Sequence, residues 1–286
     1  MKTLKLFCFP AFFLLLFSNL TAQTPPFLRI FGQTPDYESG LGVYDAKDGN
    51  LLVTGVSGSD SLTIIKMTPQ GDFIWAKTIN IKISLSGLYS REVISDLIVD
   101  MEGKIVCAGT IGHNRQGFIL RYDPETETLL WIQEMILTAH VHGLVQSPLD
   151  SNYFVYANSR DPFSVTAPGT QSKFTKINKQ TGFFMLIPDS AIRFQTETDT
   201  AAHDLIRSLV VHEGKFYGCG DFTFPGMGSG GKRNNISRFD LNGNVEWSRM
   251  GPGGAELVQH CTGHDLFIED QHIISTFSGN DTASTA

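Results

Sequence analysis

Apolar and polar residues alternate in short bursts along this chain, and the bursts come in groups of four. In the first group they fall near residues 41–45, 50–55, 62–67 and 72–78. Each run is rich in Val, Ile, Phe or Tyr and ends at turn residues such as Asp48-Gly49, Glu102-Gly103 or Asn242-Gly243. Runs of roughly 4–8 such residues, punctuated this way, predict strands joined as antiparallel hairpins. No stretch keeps an apolar spacing of three and four residues for long, so alternating strand–helix folds are excluded.

The groups are copies of one unit. Segments 43–78, 96–134, 143–187 and 208–249 align, and a fifth begins at 265–279. Trp75, Trp131, Leu186 and Trp247 occupy the same place, spaced 56, 55 and 61 residues apart. A sheet of four strands cannot bury both faces alone, whereas copies stacked radially cover one another. The expected fold is therefore all-β, a β-propeller with four-stranded antiparallel blades near 41–79, 93–135, 141–187 and 206–249. A partial blade at 264–279 would be completed by the strand "FLRIF" at 27–31. The third strand of that blade is missing, which reads as a truncated larger propeller or an incomplete fifth blade.

Two of the turns carry a family resemblance. "RYDPETETLLW" and "TKINKQTGFFML" resemble the D-x-x-T-G-x-x-x-W signature of quinoprotein-type propellers. Asp123, Thr126 and Trp131 match in the first, with Glu127 at the glycine position. Asn178, Thr181 and Gly182 match in the second, with Leu186 at the tryptophan position. The whole unit, with "DGNLLVTG" followed by "LTIIKMTPQGDFIWAKT", is similar to repeats of exported bacterial propeller proteins that often end in a type IX secretion sorting domain. The resemblance implies the fold, and propellers host many unrelated activities.

Composition narrows the partners. The 286-residue chain is 41% hydrophobic and carries a formal charge of −7. An acidic chain without a basic run is a poor ligand for nucleic acid or an anionic membrane. The N-terminus places Lys2 and Lys5 before an apolar run, Leu6 to Phe17, and a polar stretch to Ala22. That is the layout of a secretory signal peptide over 1–22, followed by a repeat domain over 23–286. The run is short for a membrane span, so the mature protein is expected at the cell surface or secreted, with no span of its own. Beyond that segment stand Cys107, Cys219 and Cys261, an odd, scattered set that suits buried free thiols better than a disulfide framework.

Loop length marks the candidate binding residues. The turns between first and second strands and between third and fourth strands are short. The second-to-third loops, 159–171 and 221–234, and the blade-to-blade connections are longer, and in a propeller both emerge on one face. Binding residues concentrate on loops held by a rigid scaffold, so Arg160, Asp161, Lys232 and Arg233 are candidates. His140, His203, His260 and His264 lie at blade entries on the same face. Their spacing matches no metal motif, and no metal or cofactor is expected. The tryptophans are expected to pack between blades. Asp36, Asp45, Asp96, Asp100 and Asp123 are expected to serve turns. Within "FPGMGSGGKRNN", Gly226, Gly231 and Lys232 have P-loop spacing, but Arg233 stands where that motif needs Ser or Thr. The next residues, "NNISRF", read as a strand, with no helix N-terminus to meet a phosphate.

Three functions compete. The first is an exported, non-catalytic module that recognises a glycan, protein or surface through the long-loop face. The second is an extracellular polysaccharide lyase or glycosidase working through paired carboxylates. The third, implied by the quinoprotein resemblance, is a dehydrogenase using pyrroloquinoline quinone and calcium.

Overall fold

A computed structural model describes residues 38–57, 61–81, 92–111, 116–135, 138–159, 171–185, 205–223, 232–241, 245–250, 258–269 and 272–281. The signal-peptide segment, the strand expected at 27–31, and Asp36, Arg160, Asp161 and His203 lie outside these residues. The described residues form strands joined by turns. The first blade holds β1 (Glu38–Asp45), β2 (Leu51–Ser57), β3 (Ser61–Met67) and β4 (Phe73–Asn80). The second holds β5 (Glu92–Val99), β6 (Ile105–Ile111), β7 (Gln116–Asp123) and β8 (Thr128–Met135). The third holds β9 (Thr138–Gln146), β10 (Tyr153–Ser159), β11 (Gln171–Ile177) and β12 (Phe184–Met185). β13 (Leu205–His212), β14 (Lys215–Thr223), β15 (Lys232–Phe239) and β16 (Val245–Met250) make the fourth, and β17 (Val258–Glu269) with β18 (His272–Asp281) the fifth.

Neighbours within each blade pair antiparallel in chain order. Between blades the first strands touch in succession, β1 on β5, β5 on β9, β9 on β13 and β13 on β17. First strands innermost and blades side by side make this a β-propeller, as the repeat pattern predicts. The fifth blade's strands together reach past the expected 264–279 at both ends, and β15 starts at Lys232 of the glycine-rich stretch. A strand there, not a helix, removes the P-loop geometry.

Apolar cores lie between blades. Leu52, Leu62 and Ile64 of the first blade meet Ile94, Leu97 and Phe118 of the second. Val106 and Ile119 meet Leu144, Tyr153 and Val155, and Phe154 and Phe174 meet Phe216 and Phe239. The inner-strand position held by Leu97, Leu144, Leu209 and Leu266 is buried, whereas its counterpart Val43 in the first blade stays 64% exposed. Trp131 shows how the repeat-locked tryptophan works. Its indole Nε1 donates to the Lys179 carbonyl of the next blade at 2.9 Å. A β-carbon at Gly182 would stand 2.8 Å from its ring, and Gly182 has φ of +72°. Glycine is needed there on both counts. Glu127 holds the equivalent turn position with φ of +56°, a conformation that costs a non-glycine residue.

The turns are closed by the side chains the pattern predicts. Asp123 Oδ1 accepts from the Glu125 and Thr126 amides, and Asn178 Oδ1 from those of Gln180 and Thr181. Asp45 and Asp100 cap first-hairpin turns in the same way. Asp96 departs from the expectation of turn chemistry. It lies on β5 and accepts the Leu144 amide of β9 at 2.9 Å, tying two blades together. Ser208 does the same for Leu266. Cys107 and Cys219 are buried free thiols, and burial pushes the Cys107 thiol pKa far up.

A second repeat-locked feature is electrostatic. Lys66, Arg121, Lys176 and Arg238 occupy one third-strand position, and each pairs with an acid of its own blade. The partners are Asp48, Asp100 with Glu102, Asp150, and Glu246. In the fourth blade Glu213 of the His212–Lys215 turn lies by His212, and Glu246 of β16 pairs with Arg238 instead. The second-blade member is buried. Asp100 accepts from Arg121 at 2.8 Å and from the Tyr153 hydroxyl of the next blade at 2.6 Å. Removing one partner of a buried pair strands the other charge, so Arg121→Met should lower unfolding free energy by about 3–5 kcal/mol. The half-exposed Lys66–Asp48 pair should lose less than about 1 kcal/mol in Lys66→Met. Urea unfolding of both variants checks this; equal losses would contradict the ranking.

Candidate functional site

A groove at the short-turn end and a row of mid-strand bulges lie near the propeller axis. At the short-turn end lies an open groove of about 790 Å³. Ala46, Lys47 and Asp48 enter it from the first hairpin turn, with Lys66 of β3 and Trp75 of β4. The second blade adds Ile98, Val99, Met101 and the turn residues Pro124 and Glu125, while Val145 of β9 and Val211 of β13 close the axial side. The groove thus runs from the axis outward across the first two blades. Its floor is aliphatic because Ile98, Val99, Val145 and Val211 near the ends of three inner strands line it. Its rim is charged because the hairpin turns need Asp and Lys for their own bonds.

The groove's polar groups are pre-positioned. Asp48 accepts the Asn50 amide and the Lys66 ammonium, the latter at 2.5 Å. The Lys66 bond first, then the Asn50 bonds, outweigh burial and hold the Asp48 carboxyl below its ordinary range. Trp75 is half-buried against the first interblade core, so one part of its ring stays on the groove. The sequence placed the tryptophans between blades, and Trp131 is there. Trp75 has a second exposure that alignment alone did not reveal.

Midway along, the inner strands share a defect. Register slips by one residue at the same place in every blade, and the slip falls at Leu41, Ser95, His142, Arg207 and His264. Such bulges bend the strand and re-aim side chains. Ser95, His142 and Arg207 are half-buried, between buried neighbours such as Ile94 and Leu97, Val141 and Leu144, and Ile206 and Leu209. Of the sequence candidates, His264 falls on a bulge, and His140 pairs with Asn158 on β9. Lys232 and His260 are brought into register by the bridge between β15 and β17, and Arg233 follows Lys232 on β15. Ser95 and Arg207 were not singled out from the sequence, where interrupted alternation is the trace each bulge leaves. Among the described residues no group of three or more His, Cys, Asp or Glu could hold a metal ion, and no helix is long and apolar enough to cross a membrane.

No protein-family model and no curated protein matches the chain in sequence. Solved β-propeller glycoside hydrolases resemble it in chain course. An α-L-arabinofuranosidase from Clostridium thermocellum is 11% identical over 72% of this chain and 70% of its own, with a TM-score of 0.42. A thermostable family-43 glycoside hydrolase is 9% identical over 84% and 93%, with a TM-score of 0.46. A Bifidobacterium bifidum protein assigned as an exo-β-1,3-galactanase is 14% identical over 79% and 75%, at 0.48. At these values no chemistry passes from them to this chain.

Acid titration should report the turn network that shapes the groove rim. Lys179 and Arg121 hold Glu102 down to about 2. Lys104, with the turn amides, does the same for Asp123, also about 2. Burial pushes Asp150 up, but Lys176 and the Asn152 and Ser147 bonds outweigh it and leave it at about 2. All three lie below the unfolded range of roughly 3.9–4.3. Groups depressed in the folded state contribute stability above the unfolded pKa and lose it as pH falls through the folded one. The urea midpoint should hold from pH 7 to 5 and drop between pH 4 and 2. A midpoint unchanged down to pH 2.5 would contradict the network.

Proposed function

We propose that this chain is an exported β-propeller module that binds a glycan in the groove across its first two blades. The observation that carries the reading is the groove itself. An open, elongated cavity with one indole wall, an aliphatic floor and a rim of fixed charges suits a sugar chain. The C–H faces of a sugar lie on an aromatic ring, and its hydroxyls meet carboxylate and ammonium groups. Concave, mostly apolar sites with a few placed polar groups are the usual form of ligand pockets. This reading puts the glycan on the short-turn face, whereas loop length made the long-loop face the candidate. Export rests on the charged and apolar pattern of residues 1–22.

Hydrolysis is the second reading, favoured by one observation. Asp48 and Glu125 reach the same groove from neighbouring blades. Paired carboxylates flanking a bound sugar are the machinery of glycoside cleavage. Asp48, held ionised by Lys66, would serve as base or nucleophile rather than acid.

A polysaccharide panel tests both readings. By affinity electrophoresis and calorimetry, Trp75→Ala should weaken the best polysaccharide at least tenfold, about 1.4 kcal/mol. Trp75→Phe, which keeps the core contact, should weaken it less. Both variants must melt cooperatively. Wild-type affinity in folded Trp75→Ala would overturn the groove. Reducing ends released by the wild type and lost in Asp48→Asn or Glu125→Gln would establish hydrolysis over binding alone.

A further inference from the structure

The cleft between the first two blades is open where the next cleft is covered, and one residue marks the difference. Between the second and third blades, the turn after β11 lies on Trp131, whose indole donates to the Lys179 carbonyl. Gly182 permits that contact, since a β-carbon there would stand 2.8 Å from the Trp131 ring. The same left-handed place in the second-blade turn is held by Glu127, with φ of +56°. A β-carbon in that place bars the equivalent approach to Trp75, which stays on the groove with Pro124 and Glu125. Beyond Trp75 the cleft continues. A second cavity, of about 340 Å³, begins at Ala76 and follows β4 to Asn80, with Tyr122, Glu127 and Leu129 as its other wall. Two of its lining residues, Lys77 of the first blade and Glu127 of the second, pair with each other.

Stability does not account for Glu127. Its side chain is 62% exposed, and ion pairs in such settings contribute little. The left-handed conformation meanwhile costs any residue with a β-carbon. Gly71 and Gly182 take that conformation in the third-to-fourth turns of the first and third blades. Strained residues of this kind gather at ligand sites.

We propose that this cavity is an outer subsite of the groove, so that the site takes an internal stretch of a neutral glycan chain rather than its end. Trp75 and Lys77 alternate onto the same face of β4, about 7 Å apart along the strand. A chain laid on the indole and continued outward passes the Lys77 ammonium and the Glu127 carboxylate. These are a donor and an acceptor held side by side, and a sugar hydroxyl, itself both, can bridge them. Their opposite charges offset each other, which suits hydroxyls better than an ionic substituent. A ring on Trp75 then has neighbours on both sides, one toward the axis and one in the outer cavity. Only an internal residue of a chain meets that condition. The glycan itself rests on the proposed function; the outer subsite rests on the cavity and its ion pair.

Calorimetry with β-1,4-linked gluco-, xylo- and galacto-oligosaccharides of two and six residues tests the outer subsite. The best hexamer should bind at least about tenfold tighter than its dimer, the worth of one charged hydrogen bond. Lys77→Met and Glu127→Ala should each lose most of that gain while still melting cooperatively. Glu127→Ala keeps the β-carbon, so its loss reports the carboxylate alone. A pair that only joins two blades would shift the urea midpoint and leave the hexamer-to-dimer ratio as it is. That result in both folded variants would overturn the outer subsite. A dimer bound as tightly as the hexamer would do the same, and either result leaves groove binding at Trp75 standing. Absence of binding by every hexamer would overturn this inference; absence for the parent polymers as well would take the proposed function with it.

Discussion

A four-stranded sheet with two apolar faces must be covered on both, and everything else in this protein depends on that constraint. Each blade buries the inner-strand leucine of the next, and Trp131 seals its blade against Gly182. Apolar burial supplies the attraction between blades but little orientation. Directional bonds supply that. Asp96 and Ser208 tie successive inner strands, and the Tyr153–Asp100–Arg121 group locks the second blade to the third with three polar groups that satisfy one another. The same bonds commit Asp96 and Asp100, while Asp48, paired with Lys66, and Glu125 line the groove.

The short-turn end has its shape for a physical reason. At the short-turn end, hairpins are tight and their side chains are used in closing the turns. Ile98, Val99, Val145 and Val211 near the ends of three inner strands line the groove, which is shaped by what the turns do not fill. Midway along, each inner strand carries one bulge, at Leu41, Ser95, His142, Arg207 and His264.

The sequence made the blades legible because alternation with period two and turn residues at fixed places are local signals. The turn signature was equally readable: Asp123 and Asn178 close their turns as the pattern requires, and Gly182 holds the left-handed position. The third-strand cations were also present in the alignment, as Lys66-Met67, Arg121-Tyr122, Lys176-Ile177 and Arg238-Phe239, each just before the turn. Their pairing depends on folding the first hairpin turn back toward them, which no local pattern states. The bulges were harder still. One extra residue, such as His142 between Val141 and Gly143, looks like a lapse in alternation rather than a device. The groove was beyond sequence reasoning altogether. It joins Trp75 to Val211 through residues of four blades, a convergence that no local pattern states.

Location of a bound sugar is the most direct measurement of the central claim. A crystal soaked with an oligosaccharide cut from the tightest-binding neutral polysaccharide should show a sugar ring against the Trp75 indole, with hydroxyls reaching Asp48 and Lys66. The same oligosaccharide found only at the long-loop end, with the groove between the first two blades filled by solvent, would contradict the account.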